Sequence, residues 1–259
     1  MKHIKNDIAD IHGAEDILPT LMKFFEIVRR HPSCLDSCRG MKEGVRSVFS
    51  EGGFQLYPTV KKTTLMYDPA ADSFLKILHP LNMKSRLLFL FADKAGAIYH
   101  VSEKLLSEGV KITGVIAYGS LKKGRRPFFV MKRVEGESLY DILIRQKKEL
   151  PVDACFRALS EVAKIHRLGY WLGDAHLSHI FIRGTEVSGF IDIDSIRRNR
   201  PFRLKNLAKD IAGLNHPELP LKDDEKKALI QHYIQKANVR DQDDFLKLLN
   251  FYTERRWKG

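Results

Sequence analysis

Long apolar runs are missing from this chain. Its densest, Leu87-Leu88-Phe89-Leu90-Phe91-Ala92, falls far short of the ~20 residues that a membrane-spanning helix needs. No apolar segment follows the lysines of MKHIKNDIADIHGAED, so a secretory signal is not expected. Cysteine is scarce as well. Cys34, Cys38 and Cys155 are too few and too scattered for a disulfide framework, and no second Cys/His pair follows Cys34 and Cys38 at zinc-finger spacing. They read as idle or buried thiols. Repeats and low-complexity segments are also lacking. These absences lead to the expectation of a reduced, soluble, cytoplasmic protein.

What is present suits a globular chain. Of 259 residues, 44% are apolar and 15 are Phe, enough for one large unit or two small lobes. Forty-four Lys and Arg against 32 Asp and Glu give a net charge of +12, which attracts anions: nucleotide phosphates, phosphorylated sugars, anionic lipid or nucleic acid. No recognised nucleic-acid reader motif accompanies the charge, so nucleic acid is not the expected partner.

Apolar residues at mixed helical spacing over 6–30 (Ile8, Ile11, Ile17, Leu18, Leu21, Phe24, Phe25, Val28) predict one or two helices. From Phe54 the texture changes to short strands, FQLYPTV and then LMYDPAADSFLKIL. A helix over 86–108 is predicted to stop at Gly109, and two more strands follow at 114–118 and 127–134. After Pro151, apolar residues step by 3, 4, 3, 4 from Val152 to His166, one face of a helix. Two short strands are predicted at 179–182 and 189–193. The chain thus reads as an N-terminal helical extension (1–50), a sheet-rich lobe (51–134) and a mostly helical lobe (135–259).

Polar chemistry is densest in Gly173-Asp174-Ala175-His176-Leu177-Ser178-His179 and in Ile191-Asp192-Ile193-Asp194. A hairpin turning about 185–186 would place His179 opposite Asp192, ~5 Å apart, with Asp174 just upstream. Phe181, Ile182, Phe190 and Ile191 make that hairpin apolar, and carboxylates clustered beside a buried hairpin are costly without a cation. Such a group can hold a divalent metal and leave one carboxylate free to orient a hydroxyl nucleophile.

The run from Ile165 through Gly173-Asp174-Ala175-His176-Leu177-Ser178-His179, followed by Ile191-Asp192-Ile193-Asp194, resembles the catalytic and metal-binding loops of protein-kinase-like phosphotransferases, and among them the lipopolysaccharide core heptose/Kdo kinase family. Phe74-Leu75-Lys76-Ile77-Leu78 is similar to the strand bearing the nucleotide-binding lysine, 128–139 to the strand and hinge between lobes, and Lys205–Ala212 to the helix start whose aspartate, Asp210, anchors the catalytic loop. The resemblance implies an α+β, two-lobed protein-kinase-like fold, with a small antiparallel-sheet N-lobe, a mostly helical C-lobe and the N-terminal helical extension. It implies ATP with Mg²⁺ or Mn²⁺. Asp174 and His176 would be catalytic, and His179 and Asp192 would hold the metal. Lys76, Lys61, Lys62, Thr63, Met131 and Arg133 would contact the nucleotide. His166 is expected in the core.

No GxGxxG loop lies between the first two strands; Val60-Lys61-Lys62-Thr63-Thr64 stands there, and its side chains would replace backbone amides as phosphate donors. Glu103, the carboxylate expected to pair with Lys76, comes late relative to the family pattern. The basic stretch from Ile196 to Lys205 suits an anionic sugar or lipopolysaccharide acceptor, or peripheral contact with an anionic membrane. Three readings stand. The first is a lipopolysaccharide core sugar kinase, the second a kinase for protein or small-molecule hydroxyls, and the third a nucleotide-binding pseudokinase.

Overall fold

A computed structural model describes residues 1–32, 43–59 and 62–257. The chain divides into two compact units, 1–103 with 114–133, and 104–113 with 134–259. Cys34, Cys38 and Lys61 lie outside the described residues. Cys155 is buried, which pushes its thiol up to about 11, so it is inert at neutral pH.

The first unit is built on a seven-stranded antiparallel sheet. Its strands are β1 (Lys2–Lys5), β2 (Ala9–Gly13), β3 (Gln55–Tyr57), β4 (Thr63–Asp68), β5 (Ser73–Leu78), β6 (Val115–Leu121) and β7 (Arg126–Lys132), in the order β1-β2-β6-β7-β5-β4-β3. Two of these strands precede the first helix, so the helices predicted over 6–30 are instead a hairpin followed by one helix, α1 (Leu18–Arg30). The reason lies in β2, where Ala9, Ile11 and Gly13 face the core. Two of those three are too small to register as a period-2 apolar signal. Helix α1 starts with Pro19 in its first turn and buries Leu21, Phe24, Phe25 and Val28, the 3–4 spacing of a single face. Phe24 and Phe25 pack on Phe128 of β7, with ring centroids 6.4 and 6.1 Å away. Thr20 and Lys23 donate to buried Asp68 at 2.6 and 2.9 Å, fixing the helix to the end of β4. A further helix, α2 (Glu43–Glu51), leads into β3.

The single helix predicted over 86–108 is two, α3 (Met83–Phe91) and α4 (Lys94–Ser107). Ala92 is extended, and the Asp93 carboxylate accepts the Gly96 N–H at 2.8 Å, restarting the helix with a side-chain cap.

The second unit is mostly helical. Helix α5 (Val152–Arg167) buries the predicted face through Cys155, Val162 and His166 and ends at Gly169, whose φ of 79° only glycine adopts without strain. Helices α6 (Leu204–Leu214), α7 (Asp223–Ala237) and α8 (Gln242–Trp257) complete it. Among them run β8 (Glu137–Ser138), β9 (Tyr170–Trp171), β10 (Ile180–Arg183), β11 (Glu186–Phe190) and β12 (Arg197–Arg198). The β10–β11 hairpin turns through Gly184-Thr185, one position earlier than predicted. Its register carries a bulge between Phe181 and Ile182, with Ile180 opposite Phe190. The expected pairing of His179 with Asp192 is therefore corrected: the His179 carbonyl accepts the Ile191 N–H at 2.9 Å, and Asp192 lies one residue further on. A bulge re-aims side chains in this way at little cost.

Candidate active site

The loop after α5 is immobilised from behind. Asp210 on α6, 1% exposed, accepts the Leu172 N–H at 2.5 Å and the Gly173 N–H at 3.2 Å, and bonds His166 Nε2 at 3.0 Å. His166 Nδ1 meets the Tyr233 hydroxyl at 2.6 Å, and burial raises that phenol's pKa well above its ordinary value. Asp210 and His166 thus have the anchoring and core places expected of them. Gly173 (φ 80°) carries the loop past the next one: a Cβ there would sit 2.3 Å from the Ser195 carbonyl oxygen. The 172–179 and 192–196 segments meet at that close approach.

Asp174 follows Gly173 with its side chain 53% exposed. Its carbonyl faces His179 Nδ1 at 3.0 Å. Nδ1 can only donate to a carbonyl, so in the neutral ring the lone pair that a metal ligand needs falls on Nε2. His176 has a different task. Its Nδ1 accepts the Ser178 N–H at 3.1 Å and meets Ser178 Oγ at 2.7 Å, capping the turn at Leu177–His179. Burial, followed by His179 close by, holds this imidazole below its ordinary pKa, in keeping with a neutral acceptor.

Asp192 is held at φ 62°, ψ 39°, a left-handed conformation that costs a non-glycine residue about 1 kcal/mol or more and that marks functional turns. Its Oδ2 accepts from Ser195 Oγ at 2.5 Å. Together Asp192 and His179 offer one oxygen and one nitrogen donor, a set that Mn²⁺ tolerates better than Mg²⁺. The donors of Asp174, His179 and Asp192 do not draw together as a three-ligand group. Among the described residues only His3, Asp10 and His12, in the β1–β2 hairpin, bring three ligand atoms within 4.8 Å of one another.

Residues missed by the sequence reading complete this region. Arg256, on α8, donates to the Ala175 carbonyl at 3.1 Å and stands 3.7 Å from Asp174 Oδ1. With Lys209, Arg255 and Tyr252 it lines a cavity of about 380 Å³ bounded by Gly173 and Ala175. The basic stretch after Ile196 begins as β12, paired to β9, and Arg197 lies beside Gly173.

The remaining predicted residues belong to the first unit. Lys76, 9% exposed, sits mid-strand on β5 between Leu65 and Phe129. Lys62 is exposed in the turn before β4, its carbonyl accepting the His79 N–H at 2.8 Å, and Thr63 opens β4. Met131 is buried on β7 opposite Phe74. Arg133 is exposed and engaged with Tyr67 and Asp72, the latter at 3.4 Å, and both raise its pKa. Glu103, on α4, faces Tyr99, whose pKa is raised first by burial and then by that carboxylate.

By sequence, the chain matches no protein-family model and no curated protein. Among solved structures, monomeric WbdD superposes with a TM-score of 0.50 at 16% identity, over 77% of this chain and 48% of that one. The bifunctional kinase-methyltransferase WbdD gives 0.48 at 14% identity over 77% and 50%, and an aminoglycoside-3'-phosphotransferase of type VIII gives 0.47 at 12% over 77% and 94%. The chain spans about half the length of the WbdD structures it matches. The likeness to monomeric WbdD is one of fold: this chain has a two-lobed protein-kinase-like architecture, an antiparallel sheet in one unit and helices dominating the other.

Proposed function

We propose that the protein is an ATP-dependent phosphotransferase acting on a sugar hydroxyl of the lipopolysaccharide core, heptose or Kdo, at the cytoplasmic face of an anionic membrane. The observation that carries this reading is the loop pair of the second unit. An exposed carboxylate, Asp174, stands on a backbone pinned by Asp210, and a second carboxylate, Asp192, sits in a left-handed turn on the loop that Gly173 touches. Asp174 would accept the proton of the attacking hydroxyl, its carbonyl meanwhile fixing the tautomer of His179. His179 and Asp192 would hold a divalent cation, which when bound offsets charge on the phosphates.

Nucleotide binding falls to the first unit. Along β5, Lys76 lies three residues from Ser73, which pairs with Lys132. That distance, ~10 Å of strand, suits a nucleotide with its base by Met131 and Arg133 and its phosphates by Lys76, Lys61, Lys62 and Thr63. The basic cavity of Lys209, Arg255 and Arg256 beside Asp174 suits an acceptor that carries its own negative charge.

The test is transfer of labelled γ-phosphate from ATP to deacylated core oligosaccharide with Mn²⁺ or Mg²⁺. Asp174→Asn and Asp192→Asn should each lower transfer by about a thousandfold or more while the protein still melts cooperatively. Full transfer by the Asp192 variant would remove the metal role. A second reading, a nucleotide-binding pseudokinase, is favoured by the Arg256 guanidinium, which engages the very carboxylate needed as base. Stabilisation by ATP and Mn²⁺ without turnover on sugar, protein or small-molecule acceptors would select it.

A further inference from the structure

Helix α3 buries none of its nine residues. Six large apolar side chains in and just before it face solvent: Leu81, Met83, Leu87, Leu88, Leu90 and Phe91, the last 86% exposed. Surface leucines scattered singly are ordinary, but a contiguous group of this kind marks a surface that something covers. The charges around it indicate what. Lys84 and Arg86 project from the helix, and the β6–β7 turn, Lys122-Lys123-Gly124-Arg125, lies against it, with Arg125 Nη1 donating to the Leu90 carbonyl at 3.4 Å. No acidic residue occurs in 81–91 or 122–126; the first is Asp93. At 1.5 Å per residue the helix is ~14 Å long, too short to cross a bilayer and long enough to lie in its interface.

We infer that α3 and the β6–β7 turn form a docking surface for an anionic lipid bilayer. Leu87, Leu88, Leu90 and Phe91 enter the boundary between headgroups and acyl chains, and Lys84, Arg86, Lys122, Lys123 and Arg125 meet the lipid phosphates. This surface belongs wholly to the first unit, and the inference stands whether or not the chain transfers phosphate.

Sedimentation of the full chain with vesicles tests it. Vesicles with about a third phosphatidylglycerol should bind at least tenfold more tightly than pure phosphatidylcholine, and binding should weaken as salt rises. Leu88→Glu with Phe91→Glu should reduce binding tenfold or more. Lys122→Glu with Lys123→Glu and Arg125→Glu should erase the preference for anionic lipid. All five side chains are exposed, so both variants should keep the wild-type melting temperature. In Phe91→Trp, the added tryptophan emission should move to shorter wavelength and be quenched by brominated acyl chains. The inference is overturned if neither vesicle binds, if the folded variants bind like wild type, or if the apolar patch instead drives a vesicle-independent dimer that Phe91→Glu dissociates.

Discussion

Asp210 takes two loop N–H groups and an imidazole on one buried carboxylate, so its loss strands three partners at once. Asp210→Ala should cost about 3 kcal/mol or more, read as a lowered denaturation midpoint, with phosphotransfer falling further than stability because Asp174 rides on the same backbone. His176 offers a quieter test. Its folded pKa is depressed by burial, so the unfolded chain takes up the proton first as pH falls. This contribution to stability is complete above the unfolded value of about 6.5 and drains away as pH drops towards the folded pKa. His176→Asn keeps an acceptor for the Ser178 N–H without titrating, so part of the loss in melting temperature between about pH 7 and pH 5 should vanish in that variant. The depressed imidazole of His232, which the substitution leaves in place, accounts for some of what remains. At this scale the sequence was informative for residues that announce themselves by local company. Asp174, His179, Asp192 and Asp210 sit in short runs rich in polar chemistry. Arg256 does not: it reaches the Ala175 carbonyl from 81 residues away, and nothing in its own neighbourhood points there.

Among the elements, long strongly periodic helices were legible and junctions were not. Helix α5 has its predicted face, since four successive steps of three and four admit one geometry. The break at Ala92-Asp93 depends on a single side-chain cap inside an otherwise continuous helical pattern, and the bulge at Phe181–Ile182 leaves no mark in composition. Helix α8 serves the site through Arg256, which bonds the loop backbone and neighbours Asp174. Arg256→Gln keeps length and hydrogen bonding but removes the charge. For a charged acceptor, KM should rise about tenfold or more with the KM for ATP unchanged, and an uncharged acceptor should show no such rise. An equal change for both acceptors would make Arg256 a brace for the loop alone.

Over the whole molecule, the two units are interleaved in the chain rather than placed end to end. Residues 104–113 belong with 134–259, although twenty residues of the first unit intervene. Their place is secured by backbone. Thr113 N–H donates to the Phe190 carbonyl and Phe190 N–H to the Lys111 carbonyl, each at 2.9 Å, while Ile112 bridges to Phe190. Glu161 on α5 accepts the Lys111 N–H at 3.2 Å. Phe190 is 1% exposed and stands two residues before Asp192, so these bonds support the strand that delivers the second carboxylate. A fragment of residues 134–259 would leave buried backbone groups of β11 without partners, at a cost of about 1–3 kcal/mol for each. Such a fragment should melt well below the corresponding transition of the full chain, and its Phe190 amide should exchange rapidly with deuterium. Joining residues 104–113 to its N-terminus through a flexible linker should restore protection at Phe190. If the shorter fragment already protects that amide as the full chain does, the segment is merely a tether and the support for Asp192 comes from the hairpin alone.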